Sequence, residues 1–291
     1  MELEVAISTN AYSGYDLSTT FDHIAKVVGC PMVELDAIEG LFDHLDESRV
    51  GDPVYQRQVR ESMTEAGVDS IAFSGHTDLS DPTCVPHLEE KFEFAAAVGA
   101  RIYNTFAGPA SRRANFESMI GPVAESARRA GLQLGLETQS QAGIVYDGKS
   151  GDYVAGLGLD NVGINFDFGN PYCSSNGKID LLEAFRQALP AVTHVHLKDA
   201  VRTDMGWQTA GLEGRIVDYV TVFKMVQAMP RSIPMSIEVP LRLSINESGP
   251  VVADQPPTLE EIDRTLQDSL AYVRECWAQA SLESPNVPQS G

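Results

Sequence analysis

Residues 162–199 read VGINFDFGNPYCSSNGKIDLLEAFRQALPAVTHVHLKD. The first run, 162–168, and the last, 192–199, are short, apolar and rich in β-branched residues, a pattern typical of strands buried on both faces. Between them, residues 179–189 place apolar side chains three and four positions apart, as an amphipathic helix does. A strand, a helix and a second strand in this order predict two strands of a parallel sheet.

The same alternation extends in both directions along the chain. Further strand-like runs lie at 4–9, 32–36, 69–74, 101–107, 133–138 and 234–240. Helix-like runs lie between them at 17–28, 54–66, 86–98, 114–130 and 216–229. Several of these helices are followed by a glycine, the residue that most readily ends a helix in the left-handed conformation: Gly29, Gly67, Gly99 and Gly131. Eight strands in this alternation predict an α/β protein with a single (β/α)8 TIM barrel.

The other parallel architecture is an open, doubly wound sheet that binds a dinucleotide, and it needs a GxGxxG turn after an early strand. Residues 8–14, STNAYSG, contain no such turn. We expect one barrel domain over residues 1–278 and a disordered tail over residues 279–291, which are polar and rich in proline. Residues 242–257 follow the last strand, and we expect them to form a loop over the mouth of the barrel.

Composition narrows the possible partners. The chain has 291 residues, with 21 Lys and Arg against 41 Asp and Glu, and a net charge of −20. Such a charge repels nucleic acid and anionic membranes, so neither is an expected partner. Four scattered cysteines are typical of a reduced cytosolic protein, and the sequence shows neither a signal peptide nor an apolar run of about 20 residues. We therefore expect a cytoplasmic protein.

Four of the predicted strands end in a residue that can bind a divalent metal. These residues are Glu137, Asp167, His196 and Glu238, on the fifth to the eighth strands. Because parallel strands about 4.8 Å apart bring their carboxyl ends to one height, the four side chains should converge. Without a cation, they would bury uncompensated negative charge together. Three carboxylates and one imidazole suit Mn²⁺ or Mg²⁺, with Co²⁺ and Zn²⁺ as further possibilities.

Several short motifs together resemble the xylose isomerase-like barrel superfamily. Its members include ketose 3-epimerases, hydroxypyruvate isomerases, inosose dehydratases and the endonuclease IV branch. The motifs are MVELD at 32–36, GLET at 135–138, NFDFGN at 165–170, HVHLKD at 194–199, GLEGRIVD at 211–218 and IEVP at 237–240.

The resemblance implies one bound divalent ion, with manganese favoured, held by the four residues already identified. It implies that Glu137 and Glu238 act as an opposed acid and base, and that Arg202, six residues after His196, holds the substrate. Asn170 stands where many isomerases of the superfamily carry a substrate-contacting histidine, which leaves the exact reaction open. A homo-oligomer, a dimer or a tetramer, is also implied.

Other residues are candidates for substrate binding, each with a structural alternative. His76 follows the third strand and can bind a substrate hydroxyl or lie on the surface. Glu34 ends the second strand and can contact the ligand, orient a neighbour or serve the fold. Trp207 can form an apolar wall for a sugar ring or pack within a loop. Strand alternation predicts that Lys198 points away from the lumen, towards a salt bridge, unless the strand bends at its end.

Three functions follow from these features. The first is a metal-dependent isomerase or epimerase of a small keto sugar or related polyol, working through an enediolate with Glu137 and Glu238 as the acid and base. The second is a dehydratase or lyase of a keto sugar or keto cyclitol, as in inosose dehydratase, with Lys198 or His76 as the leaving-group acid. The third is a non-catalytic or partner-dependent barrel. A DNA-cleaving endonuclease is not expected from six histidines and so acidic a chain.

Overall fold

The computed structural model describes residues 2–38, 45–204, 206–246 and 249–283. Each of the eight strand-like runs contains a strand. The described residues contain twelve strands: β1 Val5–Ser8, β2 Met32–Asp36, β3 Asp69–Asp78, β4 Ile102–Phe106, β5 Gln133–Glu137, β6 Val162–Asp167, β7 Val192–Leu197, β8 Asp199–Thr203, β9 Gly206–Ala210, β10 Met235–Ile237, β11 Leu243–Asn246 and β12 Gly249–Val252.

Helices alternate with the barrel strands. The described α-helices are α1 Leu17–Asp22, α2 Pro53–Ala66, α3 Val85–Ala97, α4 Arg113–Arg129, α5 Lys149–Gly156, α6 Gly169–Ser174, α7 Leu181–Ala188, α8 Tyr219–Gln227 and α9 Leu259–Glu283. A π-helical stretch, His23–Val28, continues α1. Helix α2 shows why these boundaries arise: the Asp52 side chain caps its first turn, Pro53 begins it, and Gly67 ends it at φ 80°.

Eight parallel strands close into a barrel in the order β1-β10-β7-β6-β5-β4-β3-β2. Closure is made at β1, where Ile7 pairs with Ile237 of β10 on one side and with Val33 of β2 on the other. The predicted (β/α)8 barrel is therefore confirmed. Because all eight strands run the same way, their carboxyl ends form one mouth.

An additional sheet was not predicted. Strands β8, β9, β11 and β12 form an antiparallel sheet in the order β12-β11-β9-β8. The segment 242–257 does lie at the barrel mouth, but the expectation that it is a loop was wrong, because it contains β11 and β12, which pair with each other and, through Ile245 and Trp207, with β9. The pairing joins segments more than thirty residues apart along the chain, so the local sequence gave no sign of it.

The last helix extends beyond the expected end of the barrel domain. Helix α9 runs to Glu283 and so includes residues 279–283, the first part of the expected tail. Residues 284–291 lie outside the described residues. Among the helices that the structure describes, none is long and apolar enough to cross a membrane.

An aromatic cluster fixes the carboxyl end of β6. Phe168 follows Asp167 directly and is fully buried. Its ring contacts Phe166, Phe185 of α7 and Tyr219 of α8 at centroid distances of 5.0, 5.2 and 5.5 Å. This packing attaches the strand end to two helices, so the position of Asp167 is set by the core of the protein.

Candidate metal centre

The four proposed metal ligands lie together at the mouth of the barrel. Glu137 ends β5, Asp167 ends β6, His196 lies near the end of β7, and Glu238 follows β10. Asp167 and His196 are paired across neighbouring strands. All four residues are at most 3% exposed. Their convergence follows from the parallel register of the strands, as the sequence indicated.

His196 lies at the centre of this group. Its Nδ1 atom is 3.0 Å from Glu238 Oε2, 3.6 Å from Asp167 Oδ2 and 3.7 Å from Glu137 Oε2. Glu137, Asp167 and His196 each offer one ligand atom, and the three atoms lie within 4.8 Å of one another. These separations are compatible with ligands gathered round a single ion, which would lie about 2.0–2.2 Å from each of them.

The chemistry of the donors fits a divalent cation. The carboxylates of Glu137, Asp167 and Glu238 supply hard oxygen ligands, and His196 supplies one nitrogen. All are removed from solvent, where negative charges are costly unless a cation neutralises them. The residues present can therefore hold a divalent metal ion, and this donor set does not specify which one.

Glu34 lies behind His196 and orients it. Glu34 Oε1 is 3.0 Å from His196 Nε2 and accepts hydrogen bonds from Ser74 Oγ and Asn104 Nδ2, each at 2.7 Å. Burial would raise the pKa of Glu34, but the neighbouring His196 lowers it below its usual range. With Nε2 engaged by Glu34, Nδ1 faces the three carboxylates. Of the roles considered for Glu34, the geometry matches orientation of a neighbour.

His194, two residues earlier on β7, lies deeper in the barrel. Its Nδ1 atom is 3.0 Å from Asn104 Nδ2 and 3.2 Å from Asn165 Oδ1, and its Nε2 atom is 3.1 Å from Ser236 Oγ. Burial lowers the pKa of His194 to about 4, so the ring is neutral at physiological pH. His194 belongs to a polar layer beneath the proposed metal ligands.

Lys198 points into the site, which is the exception expected where the strand bends at its end and not the outward direction expected from strand alternation. Its ammonium lies 3.1 Å from Asp167 Oδ2 and 2.7 Å from Glu238 Oε2. Burial would lower the pKa of Lys198, but these two carboxylates raise it above its usual value. The reason is that β7 ends at Leu197 and the chain leaves the barrel for β8. At this bend the Lys198 backbone N–H donates to the Tyr219 hydroxyl.

The surroundings of Asp167 and Glu238 shift the pKa values of these two carboxyl groups in opposite directions. Burial raises the pKa of Asp167, and the opposing effect of Lys198 is smaller. Burial acts in the same direction on Glu238, but Lys198 and His196 outweigh it and hold the pKa of Glu238 well below its usual range. Glu238 is therefore the more persistent anion of the two.

Hydrogen bonds from neighbouring side chains orient the Glu137 carboxylate. His76 Nε2 lies 2.7 Å from Oε2, while Asn170 Nδ2 and Gln139 Nε2 donate to Oε1 at 2.7 and 3.0 Å. The His76 side chain is 3% exposed and stacks on Phe106, so it is not a surface histidine. Burial would lower the pKa of His76, but Glu137 raises it. The ring of His76 thus holds Glu137 Oε2 from one side of the cavity.

Asn10 and Asp36 belong to the same site but were not identified from the sequence. Asn10 Nδ2 donates to Asp36 Oδ2 at 3.0 Å and to Glu238 Oε1 at 2.9 Å. Burial raises the pKa of Asp36 to about 8; His76 opposes this, and the charges of Glu238 and Glu34 add to it. The sequence did contain a signal for both residues, namely a polar residue at the end of a predicted strand. Asn10 lies just beyond the end of β1, and Asp36 ends β2.

A cavity of about 640 Å³ opens above the proposed metal ligands. It is lined by seven of the residues proposed from the sequence, namely His76, Glu137, Asn170, Lys198, Arg202, Trp207 and Glu238. Asp167, His196 and Glu34 are buried and are not among its lining residues. Arg202 and Trp207 come from the additional sheet, where the guanidinium carbon lies 5.1 Å from the Trp207 ring centroid. Trp207 therefore forms part of a cavity wall.

Comparison with solved structures shows the same fold. The structure of L-ribulose 3-epimerase is similar over 99% of this chain and 100% of that chain, with a TM-score of 0.70 and 15% identity. The probable 3-DHS dehydratase AsbF from Bacillus anthracis gives a TM-score of 0.66 at 15% identity, over 94% and 99% of the two chains. A xylose isomerase-like TIM barrel protein from Mycobacterium smegmatis, in complex with magnesium, gives 0.69 at 14% identity, over 94% and 98%.

No curated protein sequence matches the chain. The family model for the xylose isomerase-like TIM barrel matches residues 22–276, a span that includes all four proposed metal ligands. Together with the closed barrel, this match shows that the chain belongs to the xylose isomerase-like TIM barrel family.

Proposed function

We propose that the protein is a divalent-metal-dependent isomerase or epimerase of a keto sugar or related polyol. One observation carries the proposal: Glu137 and Glu238 both line the cavity, on barrel strands separated by β6 and β7, with His196 between them. Two carboxylates on different walls of one cavity can reach opposite faces of a bound substrate. The small sugars named for structures of this fold, L-ribulose and D-psicose, support a carbohydrate substrate.

The proposed reaction begins with removal of a proton from the carbon next to the substrate carbonyl. Glu137 is held for this role by His76, Asn170 and Gln139, so the carboxylate is oriented before substrate binds. Glu238 is held by Lys198 and Asn10. One carboxylate takes the proton, which leaves an enediolate, and the other glutamate, protonated at that stage, gives its proton to the opposite face of the same carbon and inverts the centre. Return to the neighbouring carbon gives an isomer instead.

Glu137, Asp167, His196 and Glu238 would hold the ion, for which manganese is the proposed metal and Mg²⁺, Co²⁺ and Zn²⁺ are the alternatives. When bound, a divalent ion stabilises negative charge that develops on a substrate oxygen. The four side chains contribute by being fixed beforehand: Glu34 orients His196, and the aromatic cluster around Phe168 fixes the strand end that carries Asp167.

Deuterium exchange tests this proposal. Manganese-loaded protein is incubated with a panel of keto sugars in D₂O, and the products are followed by NMR. We expect deuterium at the carbon next to the carbonyl without loss of water. Glu137→Gln and Glu238→Gln should fold and lose exchange, because each removes a charge needed for proton transfer. Glu65→Gln, on the exposed face of α2, is the matched control. Full exchange by both site variants would refute the assignment.

A dehydratase is the second candidate, and the position of Lys198 favours it. Its ammonium reaches the cavity and can protonate a departing β-hydroxyl, so that the enediolate loses water before a proton returns to carbon. Keto sugars and keto cyclitols are the corresponding substrates. In the same assay, loss of water and a new enone absorbance would favour the dehydratase over the isomerase. Ligand binding that survives both glutamate substitutions, without exchange or water loss in the unmodified protein, would favour a non-catalytic barrel.

A further inference from the structure

The cavity is larger than a single sugar ring requires. A six-carbon sugar has about a dozen non-hydrogen atoms, and even at the ~30 Å³ that a water molecule takes in the liquid it needs no more than roughly 360 Å³. The cavity measures about 640 Å³. A monosaccharide placed against Glu137 and Glu238 therefore leaves the outer part of the cavity, beneath the additional sheet, without an occupant.

Apolar side chains form one wall of this outer part. Trp207 of β9 and Ile245 of β11 are cross-strand partners, and both line the cavity and are partly exposed there. Leu243, two residues before Ile245, lines the same cavity. Tyr172 packs edge-on against Trp207, with ring centroids 5.4 Å apart. An aromatic ring held in this way suits the apolar face of a pyranose ring.

Neutral hydrogen-bonding groups complete the rim of the outer part. Ser140, Asn176 and Asn246 line the cavity with amide and hydroxyl groups, which match the hydroxyls of a sugar. Among the described residues that line the cavity, the lysine and arginine side chains are those of Lys198 and Arg202. The Lys198 ammonium already pairs with the carboxylates of Asp167 and Glu238. A phosphate would favour a cluster of cations, so the lining suits a neutral ring better.

We propose that the outer part of the cavity binds a second sugar ring, so that the substrate is a keto sugar joined to another ring by a glycosidic bond. The identity of the reacting ring rests on the proposed function, whereas the second ring rests on the size and lining of the cavity. Trp207 and Ile245 then determine specificity, because they contact the part of the substrate that does not react.

Tryptophan fluorescence can report on the outer part directly. The chain has two tryptophans, and Trp277, which packs on Phe223 of α8, is removed by Trp277→Phe. In this background with Mn²⁺ present, Trp207 emission is titrated with D-fructose, fructose 6-phosphate and a set of glucosyl-fructose disaccharides of different linkage. We expect at least one disaccharide to bind about tenfold more tightly than fructose, which corresponds to about 1.4 kcal/mol, and to shift the emission. Equal or weaker binding of every disaccharide, or a larger gain from the phosphate, would overturn the proposal.

Variants separate the outer part from the reacting end. Calorimetric titration of Trp207→Ala and Ile245→Asn should show that disaccharide affinity falls about tenfold and falls more than fructose affinity does. Trp207→Phe should retain most of the preference, and Val251→Asn, an exposed position on β12 outside the cavity lining, should retain all of it. Equal loss for both sugars would show that these side chains only support the fold.

Deuterium exchange keeps the two proposals apart. Exchange on fructose without any preference for a disaccharide refutes the second ring and leaves the isomerase proposal standing. A preference for a disaccharide that depends on Trp207, without exchange on any sugar, refutes the isomerase proposal and leaves the second ring standing.

Discussion

Replacing Lys198 by methionine should destabilise the metal-free protein, because its ammonium lies between two buried carboxylates. At 2.7 and 3.1 Å from Glu238 and Asp167, each attraction is roughly 5–6 kcal/mol for an effective dielectric constant near 20. The cost of burying the ammonium offsets several kcal/mol of this sum. Removing one partner of a buried ion pair typically costs about 3–5 kcal/mol, since the other charges stay buried without compensation.

Thermal unfolding of chelator-treated protein measures this loss. A change of about 3–5 kcal/mol corresponds to a fall in Tm of roughly 6–20 °C for a chain of this size. Lys26→Met is the matched control, because Lys26 forms an exposed ion pair with Asp22 on the first helix, and such pairs contribute at most about 0.5 kcal/mol. Added Mn²⁺ should recover part of the loss in Lys198→Met and none in Lys26→Met, because the ion supplies positive charge to the same carboxylates.

Equal Tm values for Lys198→Met and Lys26→Met without metal would refute this reasoning. That outcome would mean that the Lys198 ammonium does not neutralise the carboxylates in solution. A large loss that Mn²⁺ does not reduce would instead mean that the ion and the ammonium serve different groups.

Three further predictions follow from the site. Asp36→Asn should reduce the pH dependence of the stability of the metal-free protein. The pKa of Asp36 is about 8 in the folded protein and roughly 3.9 in an unfolded chain. Between these values the folded state binds more protons than the unfolded state, so the stability of the unmodified protein falls as pH rises from about 4 to about 8. Parallel Tm profiles for the variant and the unmodified protein would contradict this. Glu34→Gln should weaken Mn²⁺ binding about 10- to 100-fold in calorimetry while the circular dichroism spectrum is kept, because His196 loses a carboxylate partner; unchanged affinity would show that Glu34 serves the fold alone. Mn²⁺ at about 100 times its Kd should raise the free energy of unfolding by about 2.7 kcal/mol relative to chelator-treated protein. An unchanged Tm on addition of the metal would exclude binding at this site.

The barrel could be predicted because each strand can be recognised from its own stretch of sequence. A parallel strand covered on both faces must be apolar along its length, so runs such as 162–168 and 192–199 were visible without knowledge of their partners. The proposed metal ligands could be identified for a related reason. A polar residue at the end of such a run lies at the barrel mouth whatever the loops do. Glu137 and Asp167 end their strands, and Glu238 directly follows β10.

Residues outside the regular strands were harder to place. Lys198 was expected to point outward because alternation was extended one residue past the end of β7. Asn10 was missed because it lies in a 3₁₀ turn after β1 and its partners, Asp36 and Glu238, are 26 and 228 residues away. Strand periodicity does not hold at such positions, so the direction of a side chain there depends on the groups that pack around it in the folded protein.

By itself the sequence determined the barrel and the set of residues at its mouth, because strand burial and parallel direction are local properties repeated along the chain. Only the tertiary structure decided that Lys198 lies between Asp167 and Glu238, and that β9 and β11 meet to place Trp207 over the cavity. These arrangements arise from contacts between distant segments, and their free energy depends on the packing of the whole molecule.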